Sequence, residues 1–180
     1  MKTEFLTIDT TSASEIKERR ESLGLTQKEF AILVGTSKPT VERWESSNRP
    51  ITGPIAVLLP MLTSEYVEKR RIPEKSTPIR MWYMHGDNPC TLIDVDEKNR
   101  KVRIVNYAIN LQFMAFGCNQ NPSYDDYLDF LKSRCFPETR DKLKIVLEDL
   151  DIPFYDPYLI IKKTKGRMAE DNFWLKIEAM

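Results

Sequence analysis

Residues 23–50, LGLTQKEFAILVGTSKPTVERWESSNRP, constrain this chain more than any other stretch, because they read as two short helices joined by a tight turn. Thr26 supplies an N-cap hydroxyl, and Glu29 three residues on completes a capping box. Phe30, Ala31, Leu33 and Val34 then form a helical stripe that stops at Gly35. Ser37 caps the next helix, and Pro39 falls in its first turn, where a missing N–H costs nothing. Val41 and Trp44, three apart, make the inward face of that second helix. Lys38, Thr40, Glu42 and Arg43 are left to point outward.

Charge limits what such a pair of helices can do. Lys+Arg and Asp+Glu both number 27, so the net charge is zero. Polyanion binding by bulk attraction is excluded, and any such affinity must come from a local patch and placed contacts, helped by dimerisation. The cysteines Cys90, Cys118 and Cys135 are scattered, and His85 is the lone histidine. No CxxC pair or Cys/His cluster exists, which argues against a zinc site and against a disulfide framework. Reduced thiols acting as small hydrophobes are the simple reading. The N-terminus, MKTEFLTIDTTSASE, lacks an apolar core of signal-peptide length, and no run nears the roughly 20 apolar residues of a membrane span. The expectation is a cytoplasmic protein without a cofactor.

The 180 residues allow one ordinary domain or two small ones, and their texture changes midway. Residues 1–11 read as an irregular arm. Ser12 or Ser14 can cap a first helix through Leu23, with Ile16 and Leu23 on one face and Lys17, Arg19 and Arg20 elsewhere. After the paired helices comes a polar loop, Ser46 to Gly53. A fourth helix buries Ile55, Ala56, Leu58, Leu59 and Leu62, with a kink or break at Pro60. Ser64 to Arg71 reads as a fifth. Residues 12–71 thus form a helical module, and residues 72–78, IPEKSTP, a linker. In residues 79–180 the segments Ile79–Met84, Cys90–Val95 and Lys101–Tyr107 are rich in β-formers, the last two forming a hairpin around DEKNR. Leu111–Phe116 extends the sheet or packs over it. Ser123 and Asp126 make a second capping box, Thr139–Leu150 is an amphipathic helix, and Pro157 starts another that Gly166 ends. Phe173–Ile177 is an apolar strand or helix end. The expected class is α+β.

The first module resembles the helix-turn-helix of the phage-repressor and Xre class, whose pattern LGLTQxExAxxxGxSxxTxxxWExxxRxP is matched nearly throughout. The resemblance implies a five-helix, lambda-repressor-like domain that sets its second helix in the major groove of double-stranded DNA. Gln27 then reaches a phosphate or buttresses the second helix. Ser37, Lys38, Pro39 and Thr40 stand at the groove entrance, Lys38 and Arg43 able to donate to guanine and Thr40 to touch a base edge or thymine methyl. Glu42 can only accept, so it reads a cytosine amine or restrains Arg43, and Arg49 clamps a phosphate. Pro39 and Glu42 depart from the commoner small polar residues and leave the operator open. A homodimer is expected.

The last seventy residues resemble a region associated with HipA-like kinases of toxin–antitoxin systems, through Arg134, Pro137, Arg140, Gly166, Arg167, Asp171 and Trp174. That resemblance implies a kinase partner met through Arg134, Arg140, Arg167, Asp171 and Trp174. Catalysis is not expected. Asp94 and Asp96 fit a hairpin turn better than a metal site, Glu170 and Asp171 fit a helix start favoured by the macrodipole, and His85 reads as a loop residue. No glycine-rich phosphate loop occurs. The leading reading is a DNA-binding transcriptional regulator, with a kinase-restraining antitoxin and a ligand-responsive repressor as alternatives.

Overall fold

A computed structural model describes residues 10–178. They divide into two units, one ending at Ile72 and one beginning at Pro73. Residues 1–9, most of the expected arm, lie outside the described part.

The first unit is built from capped helices. Ser12 caps α1 (Ala13–Ser22), and Thr26 caps α2 (Gln27–Leu33), each in a complete capping box with Glu15 and Glu29. In the second box the Thr26 N–H donates to Glu29 Oε2 at 2.8 Å, while the Glu29 N–H donates to Thr26 Oγ1 at 3.3 Å. Gly35 turns the chain with φ +69°, a left-handed conformation that a side chain would strain. The helix α3 (Lys38–Glu45) follows, with Ser37 as its cap. Next come α4 (Pro54–Leu58), a 3-10 turn at Leu59–Met61, and α5 (Ser64–Glu68). Pro60 lies in that 3-10 turn, where the expected fourth helix breaks. Thr10–Thr11 (β1) pairs antiparallel with Ile51–Thr52 (β2), so the end of the expected arm is a short strand. Ile16, Phe30, Ala31, Val41 and Ile55 are buried together at the centre.

The second unit is a four-stranded antiparallel sheet in the order β5-β4-β3-β6. Its strands are β3 (Ile79–His85), β4 (Asn88–Asp96), β5 (Lys101–Asn106) and β6 (Phe173–Ile177). Alternation sets two faces. Ile79, Met81, Tyr83, Ile93, Val95 and Leu175 share one core with Tyr127, Phe130 and Leu131 of α6 (Tyr124–Ser133), Leu147 of α7 (Leu143–Asp149), and Ile160 and Ile161 of α8 (Pro157–Thr164). Trp82, Met84 and Leu92 form a smaller cluster on the other face. Leu111–Phe113 is a 3-10 turn over the sheet rather than a further strand. Ala115 just beyond it donates to Thr91 Oγ1 at 3.1 Å. The expected helix 139–150 begins only at Leu143, because Lys142 adopts a left-handed φ of 56° and the Arg140 N–H closes a turn onto Pro137.

Two arginines tie this unit together, and both overturn expectations. Asp94 is not a turn residue: it lies within β4, buried, and binds the guanidinium of Arg80 through two hydrogen bonds of 2.6 Å. Arg80 also donates to the Pro73 and Glu74 carbonyls at 2.9 and 3.2 Å, so part of the expected linker is fastened to the sheet. Asp171 begins no helix, since β6 follows it. It accepts from Arg134 at 2.7 and 3.0 Å, and the same guanidinium donates to the carbonyls of Gly166 and Phe173. Gly166 leaves room for this: a Cβ there would meet Arg134 Cβ and Leu175 Cδ1 at 3.3 Å. His85 is no loop residue either. It ends β3, its ring 4.8 Å from both Phe113 and Phe173.

Removing one member of a buried ion pair strands the other without compensation. The Asp94→Ala variant is therefore expected to lose about 3–5 kcal/mol of unfolding free energy. Urea denaturation of the full chain followed by circular dichroism measures this, and a loss below about 1 kcal/mol would contradict the role given to the pair.

Candidate nucleic-acid interface

The orientation of α3 is set from its C-terminal end. Glu45, the last residue of the helix, accepts from Arg20 Nε of α1 at 2.6 Å and from Arg20 Nη2 at 3.1 Å. Gln27, the first residue of α2, donates to the same carboxylate at 2.9 Å. Arg20 adds a 2.9 Å bond to the Leu25 carbonyl in the turn between α1 and α2. One carboxylate thus joins three helices. Both charged side chains are largely sequestered, at 11% exposure for Arg20 and 7% for Glu45. A carboxylate at a helix C-terminus is opposed by the macrodipole, so this position is held by its partners rather than by the helix. Burial by itself would raise the Glu45 pKa, but the hydrogen bonds from Arg20 and Gln27 and the nearby positive charge outweigh it, and the net displacement is downward.

This clamp corrects one expectation and decides another. Arg20 does not point away from the core side of α1 but turns inward to Glu45. Gln27 buttresses α3, which leaves its amide nitrogen engaged rather than held out for a phosphate. The sequence contained a signal for the clamp in the Trp44–Glu45 pair of the matched pattern. The partner 25 residues upstream was not legible from spacing alone.

Val41 is fully buried and Trp44 packs against the same cluster, so the opposite side of α3 is free to meet a ligand. Ser37, Lys38, Pro39, Glu42 and Arg43 are exposed there, while Thr40 is half-buried, its hydroxyl 2.9 Å from Ser37 Oγ. Glu42 pairs with Lys38 Nζ at 2.8 Å and does not restrain Arg43. Among the described residues the Arg43 guanidinium has no hydrogen-bonding or ionic partner. Arg49 is exposed past the helix, its backbone held in a turn by Ser47 Oγ, which accepts from the Arg49 N–H at 3.1 Å. The structure brings Lys38, Pro39, Thr40, Glu42 and Arg43 onto one short helix capped by Ser37, with Arg49 four residues beyond its end.

The residues of the second unit named for a partner take part in different local contacts. Arg134 is buried and bonded to Asp171, which directs its donors inward. Arg140 is exposed, with its guanidinium over the Phe136 ring at 5.4 Å. Arg167 lies over the Trp174 ring at 5.1 Å, and the Trp174 indole donates to the Gly86 carbonyl at 2.7 Å. Burial pushes the Cys90 thiol up and the Cys135 thiol up to about 12, which disfavours thiolate at either position. Among the described residues no group of three or more His, Cys, Asp or Glu side chains is arranged to hold a metal ion, and no helix is long and apolar enough to cross a membrane.

The clamp makes stability depend on pH in a definite direction. The folded-state pKa of Glu45 lies below its ordinary value of 4.5, so its contribution is complete above that value. It is lost as pH falls through the depressed folded pKa. The Glu45→Gln variant should lose about 2–3 kcal/mol at neutral pH, the range for hydrogen bonds to charged groups and partly buried pairs. Its deficit should start to shrink as pH falls below that ordinary value and close further as the wild type protonates the site. Thermal melts of both proteins from pH 7 to pH 3 test this, and a constant deficit across that range would refute the linkage.

Comparison with known proteins places this unit. No curated protein and no solved structure gives a significant match to the chain. A helix-turn-helix family model matches residues 16–60, from within α1 to the 3-10 turn after α4, and does not extend into the second unit. The segment that carries α2, the turn and α3 is a helix-turn-helix domain of the DNA-binding kind.

Proposed function

We propose that this protein is a sequence-specific transcriptional regulator that sets α3 in the major groove of operator DNA and acts on its own promoter. The observation that carries this reading is that the side of α3 away from the core presents Lys38 and an Arg43 without a partner among the described residues, on a helix fixed in orientation by Glu45. An Arg in that position can donate in bidentate fashion to guanine O6 and N7. Over residues 16–60 there are seven Lys and Arg against five Glu, too small an excess for binding by charge alone. Two copies on a two-fold operator would supply the contacts a single α3 lacks, so the active form is a homodimer.

In this reading the protein works in the cytoplasm and carries out no chemistry. The second unit is the module through which a protein partner or a small ligand sets the regulator's state. The antitoxin alternative is the weaker one, because Arg134 and Asp171, two of the residues it leans on, are engaged with each other.

A gel-shift titration on the protein's own promoter tests the proposal. Arg43→Ala should weaken specific binding by about 5–150-fold, the range for losing one good bidentate base contact. Lys38→Ala should weaken it less and lower the salt dependence by about one ion. If wild type binds the promoter and neither substitution changes the affinity, α3 is not the reading element.

A further inference from the structure

Lys38 and Glu42 are arranged against the interest of the helix that carries them. Lys38 is the first residue of α3, where the macrodipole disfavours a cation, and Glu42 lies in its second half, where an anion is disfavoured. The order Lys then Glu at i,i+4 is also the poorer one for helix stability. The pair closes at 2.8 Å, yet its side chains remain 53% and 47% exposed, and exposed pairs of this kind contribute little. Helix stability does not account for either residue. A local choice that contradicts the element around it points to a task outside that element.

We infer that Glu42 is a specificity-determining residue of the DNA site, selecting a cytosine through its amine and penalising bases that turn an acceptor toward it. This rests on the DNA-binding reading above. In the free protein Lys38 neutralises Glu42 and Glu42 neutralises Lys38, so the leading turn of α3 offers the phosphate backbone no net charge. On docking, Lys38 transfers to a phosphate or a guanine, and the Glu42 carboxylate is exposed toward the groove. A cytosine N4 amine there satisfies it. Guanine O6 or thymine O4 presents an acceptor to an acceptor and leaves a desolvated carboxylate unpaired, a large penalty, while adenine offers its N6 amine only beside the N7 acceptor. Non-cognate DNA is then rejected twice, once because Lys38 must leave Glu42 and once because Glu42 finds no donor. The arrangement uses repulsion as well as attraction to discriminate. It also fits a chain with no net charge, in which weak background binding is the rule.

The test compares wild type, Glu42→Gln and Lys38→Met in selection from a randomised duplex library, followed by affinity measurements on the selected site and on mixed-sequence DNA. Both side chains are half exposed, and circular dichroism checks that the variants stay folded. Wild-type sites should contain a cytosine that Glu42→Gln no longer demands, with adenine admitted in its place, since a glutamine amide can pair with adenine N6 and N7. Glu42→Gln should bind mixed-sequence DNA several-fold more tightly, and its ratio of specific to non-specific affinity should fall about tenfold or more. Lys38→Met should keep the cytosine preference while losing affinity for both DNAs. If Glu42→Gln selects the same sites as wild type with the same background affinity, Glu42 is a bystander and the inference is overturned. If wild type enriches no sequence, the DNA-binding reading itself fails, and the inference with it.

Discussion

The Glu45 carboxylate is the joint on which the first unit depends. Helices α1, α2 and α3 are each too short to be stable alone, and each relies on packing and on its neighbours for its direction. Phe30, Val41 and Ile16 supply cohesion, but apolar contact is tolerant of rotation. The two bonds from Arg20 and the one from Gln27 are not, because a planar guanidinium meeting a carboxylate accepts a narrow range of geometry. What the apolar cluster holds together, the carboxylate orients. The outward side chains of α3 inherit that orientation, so the precision of any base contact would originate in a carboxylate turned toward α1 and α2.

The same device recurs in the second unit with different partners. Arg80 binds Asp94 across β3 and β4 and gathers the chain at Pro73 and Glu74, while Arg134 joins the end of α6 to Gly166, Asp171 and Phe173. In both cases an arginine reaches segments far apart in sequence, and its carbonyl contacts satisfy donors that burial would otherwise leave wanting.

Local features were the legible ones. The capping boxes at Thr26 and Ser123, the turn at Gly35, the break at Pro60 and the hairpin between β4 and β5 all depend on residues within a few positions of one another. The features that misled were those whose meaning lies in distant partners. Asp94 resembled a turn residue because its neighbours Asp96 and Asn99 do form one, and only Arg80 on the adjacent strand shows that it is buried. Glu170 and Asp171 resembled a helix start because paired acids favour one, and only Arg134 from α6 explains the second of them. At the candidate site, sequence placed the exposed row of α3 but not the Arg20–Glu45 clamp, and it offered Arg43 rather than Lys38 as the partner of Glu42. Periodicity reports which face a residue takes, whereas ion pairs between elements depend on how the elements meet.

The hydrogen bonds around β6 carry a consequence for association. This strand closes one side of the sheet, and a bare strand edge invites another chain to pair with it. Here the outward-facing Leu175 N–H is already given to the Lys165 carbonyl at 2.7 Å, and the outward-facing Phe173 carbonyl already receives Arg134 at 2.9 Å. A fifth strand arriving on that side would find two of its rungs taken. The arginine that fastens α6 to the tail therefore also terminates the sheet, which turns a structural bond into protection against runaway strand addition.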